Sequence, residues 1–322
     1  MKRLYSFLIG IVAIVAVLWL VSVQLKNQTK TSGGDKLVIY NWGDYIDPEL
    51  LEEFTKETGV QIQYDTFDSN ESMYTKIKQG GTTYDIAIPS EYMIAKMIKE
   101  NLVEKLDHKQ IKGMENIGSD FLDQPFDPGN QYSVPYFWGT LGIVYNSKLV
   151  DKAPEHWDDL WRPEYKNSIM LIDGAREVMG LGLNSLGYGL NDKNADHLQE
   201  AVDKLYKLTP NIKAIVADEM KGYMIQNNAA IGVTFSGEAR QMLEKNEDLR
   251  YVVPSEASNL WFDNIVIPKT VKNKKAAYQF INFMLRPENA YKNALYVGYA
   301  TPIPKAKALL PKEVQDDEAF YP

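Results

Sequence analysis

LVIYNWGDYIDPELLEEFTKETG, residues 37–59, sets the architecture of the chain. Residues 37–40 are apolar and β-prone and predict a strand, and Asn41 to Gly43 predict a turn. Asp47-Pro48-Glu49 then supplies an N-cap, a proline at the first helical position and an early acid, and Gly59 closes the helix. The same strand, turn and helix grammar recurs downstream. VQIQY (60–64) predicts a strand, Asn70 caps a helix that ends near Gly80, and YDIAI (84–88) leads through Pro89-Ser90 into a helix from Glu91. Further strands are expected over 142–146, 168–172, 230–235, 251–254 and 260–267, with helices over 175–186 and 195–208 and two more over 274–296. Strands alternating with helices predict an α/β fold with mainly parallel sheets.

In such sheets ligands sit beyond the carboxyl ends of the strands, where loops enter helices. That rule selects Trp42, Asp44 and Tyr45 after the first strand, and Ser90 and Tyr92 after YDIAI. It also selects Asp173, Arg176 and Glu177 after SIMLI, and Ser236-Gly237-Glu238 after AIGVTF. Aromatics stand beside acids twice, in Trp42-Gly43-Asp44-Tyr45 and in Trp261-Phe262-Asp263, where residues 261 and 263 share one face of a strand. An organic ammonium ion suits such a pair. A carboxylate gives it a charge-assisted hydrogen bond of roughly 1.5–3 kcal/mol, and a desolvated aromatic face adds up to about 2 kcal/mol. The plainer alternative packs Trp261 in a core and uses Asp263 to cap a turn.

Composition narrows the function classes. The 322 residues include no cysteine, which excludes disulfide scaffolds, thiol catalysis and thiolate metal sites. The first 34 residues carry Lys2, Arg3, Lys26 and Lys30 and no acid, leaving 31 basic against 43 acidic side chains in the body. A body this acidic argues against nucleic-acid binding and favours solubility or cationic ligands. No Walker A, HExxH or GxSxG string occurs, and the three histidines are scattered, so neither an enzyme nor a resident cofactor or metal is expected. A hydrolase using a carboxylate pair such as Glu177 and Asp263 is the enzymatic alternative. FLIGIVAIVAVLWLVSV (7–23) follows a basic pair and lies between the lengths of a secretory core and a membrane span. Residues 1–25 are therefore expected to be a signal peptide or signal-anchor helix, residues 26–35 a linker, and the body an exported one.

LVIYNWGDYIDPELLEEFTKETG, YDIAIPSEYMIAKM, QYSVPYFWGTLGIVYN, WRPEYKNSIMLIDGAREV, LWFDNIVIP and INFMLRPENA occur in this order. Together they resemble the spermidine/putrescine-binding proteins of bacterial ABC importers from about Lys36 to the end of the chain. The resemblance implies a two-lobed periplasmic-binding-protein fold with a hinge and an interlobe cleft that traps a polyamine for delivery to a membrane permease. It places lobe 1 at 36–141 plus 262–301 and lobe 2 at 142–261 plus 302–322; from the N-terminal apolar run, an uncleaved helix is expected to tether the body to the membrane, and the body is expected to be a monomer. Carried over motif by motif, the resemblance puts Trp42, Asp44, Tyr45, Ser90, Tyr92, Asp173, Glu177, Phe235, Trp261, Asp263 and Tyr299 at the ligand. Glu177 and Asp263 would engage a terminal ammonium beside Trp261, and Trp42, Tyr45, Tyr92 and Tyr299 would sandwich the alkyl chain. Gly174 stands where the family carries the second acid of an Asp-Asp pair, and Phe235 where a tryptophan is common. These departures keep a receptor for another small cationic or organic solute as the alternative. The family also continues for a few dozen residues past the position of Pro322, so a shortened or differently ended second lobe is expected.

Overall fold

The computed structural model describes residues 35–317 and 319–321. The expected N-terminal helix lies outside that range, and no described helix is long and apolar enough to cross a membrane. The opening segment folds as its sequence dictates. Strand β1 (Lys36–Trp42) runs into α1 (Pro48–Thr58), where the Asp47 carboxylate accepts the Glu49 N–H at 2.9 Å and Gly59 ends the helix at φ 74°. Leu50 and Phe54, four residues apart, bury the inner face of α1.

Strand β2 (Gln61–Phe67) and β3 (Ile86–Ala87) flank β1 in parallel, with α2 (Asn70–Gln79) and α3 (Glu91–Lys99) as the connecting helices. The expected cap of α2 shifts by one residue. The Ser69 hydroxyl accepts the Ser72 N–H at 3.2 Å. Asn70, buried inside the first turn, instead turns its amide to Ser90, accepting its N–H at 3.1 Å and donating to its hydroxyl at 3.0 Å.

A long strand, β4 (Ser133–Asn146), joins the two lobes. Its first half pairs antiparallel with β9 (Leu260–Val266), and its second half pairs antiparallel with β7 (Ile231–Phe235) and β8 (Leu249–Val252). Sequence periodicity finds only the second half of β4. The strand is buried on both faces along almost its whole length and so shows no alternation; its first half also carries Pro135, a residue unusual inside a strand, at a register shift that accommodates its missing N–H. Beyond β7 the second lobe continues in parallel with β5 (Ile169–Ile172) and β6 (Ile212–Val216), the latter an edge strand not expected from sequence. The strand order is β2-β1-β3-β9-β4-β7-β5-β6, with β8 against β4. The expectation of mainly parallel sheets therefore gives way to a mixed one, because β4 and β9 both run against their neighbours where the chain crosses between lobes.

Helices α4 (Ala175–Ser185), α5 (Ala195–Leu208), α6 (Glu219–Ile225) and α7 (Ser236–Leu243) belong to the second lobe, and α8 (Lys274–Met284) and α9 (Pro287–Val297) return to the first. One core gathers Leu37, Ile39, Phe54, Phe280 and Ile281, and another gathers Trp157, Ile169, Ile231 and Val233. The sequence assigns 302–322 to lobe 2. Ile303, Ala306, Leu310 and Val314 are instead buried in the core that holds Leu37 and Ile39, because α9 runs directly into them. Only the end of this segment reaches across, where Phe320 stacks on Tyr251 of β8 with ring centroids 5.7 Å apart.

Candidate functional site

The carboxyl ends of β1, β2, β5, β6 and β7 and the loop after β3 converge on one cavity of about 410 Å³ between the lobes. Its size suits a small organic molecule. Trp42, Tyr45, Ser90, Tyr92, Asp173, Glu177, Phe235, Trp261, Asp263 and Tyr299 all line it. Asp44 does not. Asp44 is exposed, on left-handed backbone at φ 48°, while Gly43 and Tyr45 line the cavity; its charge still acts on Glu238.

The aromatic walls are tied down from behind. Trp42 donates its indole N–H to the Ile88 carbonyl at 3.0 Å and lies 4.5 Å from the Phe67 ring. Tyr45, Trp261 and Tyr299 are buried, and Tyr299 meets both of the others edge-on, at 5.3 and 5.1 Å. Phe235, at the end of β7, contacts Trp261 edge-on at 5.8 Å, so the apolar wall is continuous across the lobe boundary. Gly139 on β4 makes room for it: a Cβ there would stand 2.6 Å from the Trp261 ring.

Charge is concentrated on the same surface. Eight carboxylates line the cavity, from Asp68, Glu71, Glu91, Asp173, Glu177, Asp218, Glu238 and Asp263, against one basic lining residue, Arg176. Asp263 is the most buried of the group at 5% exposure. Its Oδ2 accepts the Tyr45 hydroxyl at 2.7 Å, and its Oδ1 has no hydrogen-bond partner among the described residues. Burial pushes Asp263 up to about 7; the Tyr45 and Ser90 hydroxyls counter this, and Glu91 and Glu177 add to it. Burial also raises Glu91 and Glu177. Glu91 accepts the Phe262 N–H at 3.2 Å and lies 3.5 Å from Arg176, whose guanidinium also covers the Tyr92 ring at 4.9 Å. Across the cavity Glu238, raised by burial, pairs with Lys221 at 3.1 Å, and Asp218 acts on the same carboxyl.

Glu91 and Asp218 are not among the ligand candidates selected from sequence. Glu238 is visible there as a strand-exit acid. Glu91 has the signature of any acid in a first helical turn, and Asp218 follows a strand that the sequence hides. The arrangement offers apolar and π surface between two acidic ends, with unneutralised carboxylate at one of them. That is a counter-surface for a slender cation, and no group of side chains able to hold a metal ion occurs among the described residues.

Relatives point the same way. The chain is 41% identical over 293 residues to the spermidine/putrescine-binding periplasmic protein of Salmonella typhimurium, covering 90% of this chain and 84% of that protein. It is 31% identical to a putrescine-binding periplasmic protein of Escherichia coli, covering 89% and 83%. Among solved structures, the spermidine/putrescine ABC transporter substrate-binding protein of Streptococcus pneumoniae, in complex with calcium and HEPES, is 77% identical with a TM-score of 0.80, at 89% coverage of both chains. A putative spermidine/putrescine ABC transporter protein of Listeria monocytogenes is 62% identical with a TM-score of 0.87, again at 89% of both. Residues 49–322 match the family described as bacterial extracellular solute-binding proteins, and the chain belongs to that family.

Proposed function

We propose that this chain captures a polyamine, spermidine or putrescine, in the interlobe cavity and hands it to the permease of an ABC importer. The observation that carries this reading is the surplus of carboxylates on an aromatic-walled cavity, ending in a buried Asp263 with one oxygen free. A terminal ammonium placed at Asp263 and Glu177 gains charge-assisted hydrogen bonds, and Trp261 offers it a π face. Trp42, Tyr45, Tyr92 and Tyr299 cover the methylenes, which carboxylates alone leave wet, and Ser90, Asp173 and Phe235 complete the wall. The aromatic side chains are held in place before the ligand arrives, so little ordering cost falls on binding.

Isothermal titration calorimetry tests this. Spermidine or putrescine should bind one to one with submicromolar to micromolar affinity, and Asp263→Ala should weaken binding at least tenfold. A folded chain that binds neither amine contradicts it. The exported body acts as a monomer held at the membrane by residues 7–23; recovery of the full chain in the soluble extracellular fraction, or as a stable dimer, would overturn this part.

A further inference from the structure

Asn259 stands just ahead of β9, where its carbonyl accepts the Leu141 N–H at 3.0 Å and carries the pairing with β4 one residue further. Alternation along the strand therefore puts it on the face that holds Trp261 and Asp263. All three residues line the cavity, and Asn259 Oδ1, Trp261 Nε1 and Asp263 Oδ1 are buried with no hydrogen-bond partner among the described residues. Two of these atoms are acceptors, and a polyamine in its ammonium form brings only donors; the indole N–H gains nothing from it. Asn259 is 3% exposed. A carbonyl buried without a donor destabilises a fold, and a leucine of much the same shape would avoid that penalty. The asparagine therefore answers to something other than packing.

Resting on the polyamine reading above, we propose that Asn259 is a ligand-binding residue that selects for length: its amide oxygen takes the far ammonium of spermidine while Asp263 holds the near one. Four residues of strand put about 13 Å between the two Cα atoms. Extended spermidine spans about 11 Å between its terminal nitrogens and putrescine about 6 Å. Two short side chains leaning inward thus reach both ends of the first ligand and only one end of the second. The two residues also belong to different lobes. Asp263 bridges to Ser90 in the first, whereas Asn259 lies opposite Leu141, which pairs with Phe235 in the second. On that second side Glu238 is already paired with Lys221 at 3.1 Å, so Asn259 offers an acceptor that no resident cation holds. With nothing bonded to Oδ1 and the broad χ2 well of asparagine, the amide turns to a donor at little cost.

Asn259→Leu and Asn259→Ala in the full chain test this, with spermidine, putrescine and straight-chain diamines of four to eight methylenes titrated by calorimetry. Each variant should bind spermidine about tenfold more weakly than wild type and putrescine within about twofold, the loss of one hydrogen bond to a charged group. The ratio of wild-type to variant affinity should climb with diamine length, from about one at four methylenes to about ten at eight, a chain as long as spermidine. The ligand-free Tm of Asn259→Leu should not fall, because it removes an unpaired buried carbonyl. Asn259→Asp, which keeps an acceptor, should hold spermidine within about threefold of wild type or more tightly. An equal loss for spermidine and putrescine, or a ratio independent of diamine length, would mean that the substitutions merely disturb the cavity and would overturn the proposal. Unchanged spermidine affinity in both Asn259→Leu and Asn259→Ala would overturn it too. A wild-type chain that binds no polyamine removes the functional reading and this inference together, whereas wild-type binding with no length dependence in the variants removes this inference alone.

Discussion

At one end of the cleft Asp263, Glu177, Glu91 and Glu71 face a single resident cation, Arg176; at the other Glu238 pairs with Lys221 while Asp218 acts on the same carboxyl. The two ends contain the same kinds of side chain but are poised differently. Glu238 already has a partner at 3.1 Å, and both members of that pair are 17% exposed. Asp263 has no cationic partner, only the hydroxyls of Tyr45 and Ser90 beside it and one oxygen without a hydrogen bond, in a drier setting. An incoming ammonium therefore gains most where the protein has left a carboxylate short of partners, and less where it must compete with a lysine. The Asp263 end decides whether a cation binds, and the Glu238 end adjusts how well.

The strongest way to break that contrast is Asp263→Asn, which keeps shape and removes charge. Calorimetry should show spermidine affinity reduced by about 30-fold or more, the cost of removing one member of a buried charge pair. Ligand-free stability should move the other way. A carboxyl raised from 3.8 to about 7 by folding stabilises the fold when protonated, and that contribution is lost as pH rises through 7. Asp263→Asn should therefore raise the ligand-free Tm at pH 8, relieving up to about 4 kcal/mol, and leave it nearly unchanged at pH 4. A variant that is destabilised at pH 8 would mean that Asp263 already has a compensating partner.

Acidification should act next. Polyamine affinity of the wild type should fall as pH drops below about 7, by up to tenfold per unit, because Asp263 must lose its proton to receive an ammonium. A flat profile from pH 8 to 6 would contradict the free-carboxylate picture. Glu238→Gln should cost less, about three- to tenfold in affinity, while lowering the ligand-free Tm because Lys221 is left partly buried without its counter-ion. A larger loss than that of Asp263→Asn would reverse the ranking of the two ends. Asp44→Asn should have the smallest effect, within about twofold, since Asp44 is exposed, lies off the cavity wall and is screened by salt.

The same contrast marks how much of the molecule is legible in the unfolded chain. Local signals carry the Asp47 cap, the Gly59 stop and the strand exits, so short-range rules place Trp42, Tyr45, Ser90 and Tyr92 together. Trp261 and Asp263 need the resemblance as well, because β9 reaches the site by antiparallel pairing with β3 and β4, more than a hundred residues away in sequence. Asp44 departs from its expected place because neighbours in sequence diverge at a left-handed turn, which no periodicity reveals. Glu91 escapes notice because an acid in a first helical turn usually serves the helix dipole. Here it serves the Phe262 N–H and Arg176 across the cleft, partners fixed only by the tertiary fold.

One measurement reaches the central claim most directly: spermidine titrated into the full chain at pH 6.5, in two buffers of different ionisation enthalpy, for wild type and Asp263→Asn. Wild type should bind one spermidine and release most of one proton, as the ammonium displaces the proton held by Asp263; Asp263→Asn should bind far more weakly and release little. Tight binding with no proton release, or equal release by the variant, would mean that the cation does not sit at Asp263.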